Sequence, residues 1–312
     1  MVEQSYKKWQ LRISDLWTFP VYILRKRALG DVLWIEPVIS SMAARHKRVV
    51  VQTYHNDLFY NYPYSNVTFK HKLSFFERIG RNLRLPNFIN LDESYEKTPH
   101  MHILHAYQQK AHLPVKEEYP KLYLNEAERK SFIGTRYMVL HLEGSSEKNY
   151  RRIYGINWAE VIALIKRAGY EVLYIGKQDD EADAAGATYI RTSLREMIAL
   201  LYNATFFIGI DSGPSHIAAS LSVPSLLFFG AVTFEYRHFR HLFNGYVLQN
   251  ECEFAGCYHN VPDHHKVADL VCRIAGDEGT PPCSLHNTAI VQKLVQQLIA
   301  ANRKYTAPSA GA

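Results

Sequence analysis

The chain has 312 residues, more than one ordinary hydrophobic core and enough for two. Apolar residues make up 47% and charged residues 21%, the balance of a packed protein, which excludes a disordered or collagen-like chain. The net charge of +6 is spread without a dense Lys/Arg block, which points to anionic small substrates or an acidic surface and away from nucleic acid.

At the N-terminus, Met1-Val2-Glu3-Gln4-Ser5-Tyr6-Lys7-Lys8-Trp9 lacks the apolar core of a signal peptide. No later segment approaches the ~20 consecutive apolar residues that span a bilayer, so the cytoplasm is the expected compartment, with peripheral contact at the inner membrane allowed. Val21-Tyr22-Ile23-Leu24 is a continuous apolar run that suits a strand buried on both faces of a parallel sheet. The turn Arg25 to Asp31 follows, then an apolar helical pattern through Val38 to Ala44 and a second strand at Val49-Val50-Val51, a β-α-β beginning. From Asn56 to Tyr123 the chain is rich in Tyr, Phe, His and Pro, its periodicity assigns no elements, and irregular structure is the expectation. Asn125 to Lys130 reads as a helix start, with Asn125 and Glu128 spaced as a capping box. The domain boundary is placed near Ser131 to Arg136, giving domains 1–135 and 136–312.

Beyond it the pattern is regular. Strands are predicted at Met138 to Leu142, Glu171 to Ile175, Thr205 to Ile210 and Ser225 to Phe229. Helices are predicted at Trp158 to Ala168, Leu194 to Tyr202, Ser215 to Leu221 and Thr288 to Ala300, with a disordered tail from Lys304. Such alternation describes a doubly wound α/β domain.

Three strand-to-helix turns carry candidate chemistry. In Asp211-Ser212-Gly213-Pro214-Ser215-His216 a buried strand ends, a small-residue turn follows and a helix begins, so backbone N–H groups are offered to an anion. Gly213 allows close approach, Ser212 and Ser215 supply hydroxyls, and His216 a ring nitrogen. The alternative is a tight turn capped by Asp211 or Ser212, with His216 a satisfied core histidine. Gly30-Asp31 sets a carboxylate at the mouth of the first sheet, either facing a ligand or capping a helix. The loop Glu143 to Arg152 offers Ser145, Lys148, Arg151 and Arg152, either to neutralise a diphosphate or as a solvated basic loop. Asp180 lies after the next strand, where a ribose hydroxyl could bind.

Taken in order, these pieces resemble glycosyltransferase family 9, the heptosyltransferase family of lipopolysaccharide core assembly, from about Val21 to Ile299. They are Leu29-Gly30-Asp31 with Pro37 six residues after the acid, the Ser/Lys loop before Trp158, and Asp-Ser-Gly-Pro-x-His followed by Ala-Ala. The resemblance implies a GT-B α/β fold, two Rossmann-like lobes facing a central cleft, with the acceptor on the first lobe and the nucleotide sugar on the second. It implies an inverting, metal-independent transfer of a heptose-like sugar from an ADP-sugar to an acceptor hydroxyl of lipopolysaccharide or another glycoconjugate. Asp31 matches the family's general base, and Ser212, Gly213 and His216 its diphosphate binders, with Gly30, Ser145 and Asp211 alongside. The family's phosphate-binding lysine falls on Lys148 or, counting back from Trp158, on Arg151, and Asp180 stands at its ribose-binding acid. The segment from Tyr54 to Tyr123 matches poorly, and that segment shapes acceptor choice. A nicotinamide dehydrogenase or sugar-nucleotide epimerase is disfavoured because no Gly-x-Gly-x-x-Gly follows either leading strand. A nucleotide-sugar-binding protein without turnover is the non-enzymatic alternative.

All four cysteines, Cys252, Cys257, Cys272 and Cys283, fall in one window that also holds His259, His264 and His265. Four thiols so placed could hold zinc or iron as a structural metal, and some family 9 members carry an iron-binding cysteine finger. The spacings are not those of a zinc finger, so free or paired thiols are the alternative. No cofactor is expected for catalysis.

Overall fold

The computed structural model describes residues 19–92, 94–98, 100–130, 134–143, 151–176, 186–254, 256–260, 272, 274–275 and 280–303. Ser145, Lys148, Asp180, His264, His265 and the tail from Lys304 lie outside the described residues. The chain divides into two units between Tyr123 and Leu124.

The first unit contains β1 (Val21–Leu24), α1 (Leu29–Leu33), α2 (Glu36–Ala43), β2 (Val49–Gln52), β3 (Val67–Lys70), α3 (Phe75–Asn82), β4 (Phe88–Asn90) and α4 (Ile103–Lys110). Its strands are all parallel in the order β3-β2-β1-β4, with Val21 opposite Val49 and Leu24 opposite Asn90. The central strands are the two continuous apolar runs, because a parallel strand covered on both faces has no polar side to show. The expected single helix after the Arg25–Asp31 turn is two helices. Pro37 has no N–H to give the Leu33 carbonyl, so α1 stops and α2 starts with Pro37 in its first turn.

The expectation of irregular structure from Asn56 to Tyr123 is corrected: this segment supplies both outer strands and two helices. The strands β3 and β4 have four and three residues, most of them half-buried, which is too short and too mixed to show a period. Because β2 and β4 flank β1, the chain crosses over in opposite directions from β1, and the carboxyl ends of β1 and β4 form a switch point where open α/β sheets bind ligands.

The second unit opens with α5 (Glu126–Arg129) and continues through β5 (Tyr137–His141), α6 (Trp158–Arg167), β6 (Glu171–Tyr174), β7 (Thr188–Tyr189), α7 (Leu194–Tyr202), β8 (Phe207–Ile210), α8 (Gly213–Ser220), β9 (Ser225–Phe228), β10 (Gly245–Leu248), α9 (Cys257–Asn260) and α10 (Thr288–Arg303). Among the described residues its six parallel strands run β7-β6-β5-β8-β9-β10, the Rossmann order, with the switch point between β5 and β8. On one face Val161, Ile162 and Ile165 of α6 and Val291, Val295 and Leu298 of α10 pack on Met138, Leu140, Phe206, Ile208 and Leu226. On the other, α7 packs on α8. Each such large side chain, fully buried, contributes roughly 1.5–3 kcal/mol.

The boundary falls before α5 and not at residue 135, as the sequence suggested. Glu128 of α5 accepts two bonds from Arg195 of α7, at 2.7 and 2.6 Å, and its carbonyl accepts the Asn203 amide at 3.1 Å. The capping box of Asn125 and Glu128 is present, and it belongs to the second unit.

Candidate functional site

At the switch point of the first unit the structure assembles a buried polar cluster. Arg25, the first residue after β1, pairs with Asp31 and lies 3.0 Å from Glu96, and its other nitrogen donates to the Leu91 carbonyl at 3.1 Å. The Tyr95 hydroxyl donates to Asp31 Oδ2 at 3.1 Å. The guanidinium also lies over the Tyr95 and Tyr107 rings. Burial alone would disfavour its charge, but Tyr107, Asp31, Tyr95 and Glu96 raise its pKa, so Arg25 stays cationic. Burial pushes the Glu96 carboxyl up; Arg25 opposes this and Asp31 adds to it.

Asp31 does not cap α1. The N-cap is Ala28, held at φ 62, and Asp31 is the third helical residue, with Gly30 buried beside it. Its carboxylate is therefore oriented by Arg25 and Tyr95 and not by helix amides. Sequence reasoning named Asp31 but passed over Arg25, Tyr95 and Glu96. The available signal was a charged residue directly after a buried strand; the two others come from a segment with no readable period.

At the switch point of the second unit, Asp211 begins the turn after β8 and Ser212 is the N-cap of α8. The Ser212 hydroxyl turns back to the Ile210 carbonyl at 3.2 Å. Ser215 closes the turn instead, accepting the Ser212 N–H at 3.1 Å and donating to the Ser212 carbonyl at 2.7 Å. Pro214 has no N–H, the Ser215 N–H is taken up by the Ser212 side chain in the capping box, and the Gly213 N–H finds no acceptor among the described residues. Asp211 is buried, with Arg151 at 3.5 Å and His216 Nε2 at 3.6 Å. Burial works against its charge, yet Arg151, His216 and Arg237 hold the carboxylate well below the usual range. Its permanent charge fixes Arg151 and His216 in place, and His216 stacks on His238 at 4.7 Å.

Two recesses adjoin this turn. One, of about 580 Å³, is lined by His141, Ile175, Gly176, Tyr189, Arg191 and Pro214, at the ends of β5, β6 and β7 and the start of α8. Nucleotide-sized ligands occupy cavities of roughly 300–1,000 Å³. His141 holds the Ile175 carbonyl at 2.6 Å, and burial lowers its pKa, so the ring is neutral. The other, smaller recess is lined by Arg151, Arg152, Asp211, Phe228, Ser284 and His286. Tyr154 donates to the Ser284 carbonyl and accepts the His286 N–H, both at 2.9 Å, so segment 284–286 holds the chain that follows Arg151.

The four cysteines are free thiols within electrostatic reach of one another. Burial pushes the Cys257 and Cys283 thiols up, and for each the neighbouring thiols push further. Cys252 Sγ accepts the Phe254 N–H at 3.4 Å. Among the described residues no three His, Cys, Asp or Glu side chains converge closely enough to hold a metal ion.

Residues 100–237 match the model of glycosyltransferase family 9 (heptosyltransferase), a range that holds Arg151 and Asp211 to His216 but not Asp31 or the cysteines. The chain is 30% identical over 123 residues to the autotransporter heptosyltransferase Aah of Escherichia coli, covering 36% of this chain and 30% of that protein. The alignment therefore spans less than a third of the length of that curated relative. Among solved structures, the iron-containing dodecameric glycosyltransferase TibC of enterotoxigenic E. coli H10407 superposes with a TM-score of 0.67 at 19% identity, covering 92% of this chain and 77% of that one. The E. coli ADP-heptose lps heptosyltransferase II gives 0.65 at 13% identity, covering 91% and 100%. At these identities the likeness shows the fold, that of the GT-B heptosyltransferases.

Proposed function

On the premise that residues 100–237 form a glycosyltransferase family 9 domain, we propose that the chain transfers a heptose-like sugar from an ADP-sugar to a hydroxyl of lipopolysaccharide or another glycoconjugate. The observation that carries this reading is the turn after β8, where an ionised Asp211 braces Arg151 and His216 beside the start of α8 and a nucleotide-sized recess. A diphosphate there would meet the start of α8 and the Arg151 cation, and the nucleoside would fill the recess. Charge on a departing diphosphate is stabilised by such fixed donors more than the ground state is, so the reaction needs no metal for this purpose. A solved structure of TibC is in complex with ADP-D-beta-D-heptose, which favours adenine as the base.

In this reading Asp31, oriented by Arg25 and Tyr95, takes the proton from the attacking hydroxyl as the anomeric carbon inverts. The transition state is oxocarbenium-like, as in other glycosyl transfers. Ser212 is a backbone contributor, its hydroxyl being committed to Ile210. The acceptor is a glycan or glycolipid, which brings the chain to the inner membrane surface. The decisive experiment mixes the protein with ADP-, GDP-, UDP- and dTDP-sugars and follows both melting temperature and transfer. A ligand at 100 times its dissociation constant adds roughly 2.7 kcal/mol. Stabilisation and transfer with the ADP-sugar are expected; stabilisation without any transfer would leave a binding protein.

A structural zinc or iron at Cys252, Cys257, Cys272 and Cys283 rests on their clustering in the sequence, because among the described residues no three such side chains converge closely enough to hold one. Elemental analysis of protein purified without a His tag should find one metal per chain; substoichiometric metal with four titratable thiols would refute it.

A further inference from the structure

Helix α3 is turned inside out. Its capping box is in place, with the Ser74 N–H on Glu77 at 2.7 Å and Glu77 also bonded to Lys70 at 2.8 Å, so the helix is well defined. Yet the residue it buries is Gly80, against the Phe88 ring, while Phe75 is 63%, Phe76 82% and Leu83 68% exposed, with Ile79 exposed beside them. At 100° per residue, Phe75, Ile79, Leu83 and Phe76 fall within one arc of about 100°. The arc next to it carries Arg78 and Arg81. Arg84 follows in the left-handed conformation, φ 53, a position that favours glycine, and the exposed Leu85 comes next. Lys72 is exposed before the helix. The one acid of the helix, Glu77, is already neutralised by Lys70.

We propose that α3 is the surface by which this protein docks on an anionic lipid bilayer, its apolar arc entering the headgroup boundary and Arg78, Arg84 and Lys72 meeting lipid phosphates. Charge decides the occupant. Two copies of this surface brought together would set arginine against arginine, whereas an acidic bilayer complements every cation of the patch. The patch belongs to the first unit and uses no residue of either switch point. It gives a place to the membrane contact in the function proposed above and rests on that reading for its setting, but binding can be read without transfer.

The test is co-sedimentation of the full chain with vesicles of phosphatidylglycerol and phosphatidylethanolamine, or of phosphatidylcholine alone, at low and high salt. Wild-type protein is expected to sediment with the anionic vesicles only, and less at high salt. Phe75→Ser/Phe76→Ser should abolish binding, and Arg78→Glu/Arg84→Glu should weaken it at least tenfold, each cation being worth roughly fivefold. These are surface positions, and unchanged melting temperature and nucleotide affinity would show that the variants are folded. Failure of the wild type to bind, binding unaltered in both variants, or an oligomer that Phe75→Ser/Phe76→Ser dissociates without lipid would each overturn the proposal. A sugar-nucleotide transfer that persists through such a failure would leave the functional reading standing.

Discussion

Asp31 accepts both Arg25 and the Tyr95 hydroxyl on one oxygen, Oδ2, so its charge and its orientation can be separated by substitution. Asp31→Asn keeps the shape, and Glu96 still neutralises Arg25. The expected outcome is a folded protein with a melting temperature lowered by a few degrees, unchanged donor affinity, and transfer slowed by about 10²- to 10⁴-fold, as for loss of a general base. Near-normal turnover would remove Asp31 from the chemistry. A second residue tests the donor side without touching it. Gly155 sits at φ +78, and a Cβ there would come within 2.4 Å of the His286 carbonyl oxygen. Gly155→Ala must therefore shift segment 284–286 or the Tyr154 bridge, at a cost of roughly 1–3 kcal/mol. Calorimetry should show weaker nucleotide diphosphate binding in this variant; equal affinity would mean that Arg151 is placed without that support.

Among the elements, α2 is tied to the chain near Lys121 through one buried carboxyl. Glu36 accepts the Lys121 N–H at 2.9 Å and the Tyr62 hydroxyl at 3.2 Å. Burial pushes its pKa up to about 7, against those two hydrogen bonds. Between roughly pH 4.5 and 7 the folded chain thus holds a proton that the unfolded chain has lost. Stability from this group is full below that window, falls as pH rises through it and levels off above, with a total on the order of 3 kcal/mol. Urea unfolding of Glu36→Gln at pH 5 and pH 8 should show a smaller loss than the wild type. An equal loss would place the titration elsewhere.

Across the whole molecule the proposed donor site draws on the ends of β5, β6, β7 and β8, the start of α8, the Arg151–Gly155 segment, and residues 284–286. Hydrogen exchange with saturating nucleoside diphosphate should show new protection there and none around Arg25 and Asp31; protection at β1 and β4 alone would move the donor to the first unit. Much of this architecture was legible in the sequence because parallel strands buried on both faces are written as unbroken apolar runs, as in Val49–Val51 and Phe206–Ile210, and because Asn125 with Glu128 and Gly213 with Pro214 are local signals. Local chemistry thus determined the α/β class, the second sheet's alternation and the turns that carry Asp31 and Asp211. Tertiary structure decided what no local pattern encodes: that β3 and β4 complete the first sheet, that Glu96 meets Arg25 across 71 residues and Tyr95 meets Asp31 across 64, and that residues 284–286 brace the chain after Arg151. Short half-exposed strands have no period to read, and a buried ion pair between distant residues exists only once the sheet has brought their strand ends together.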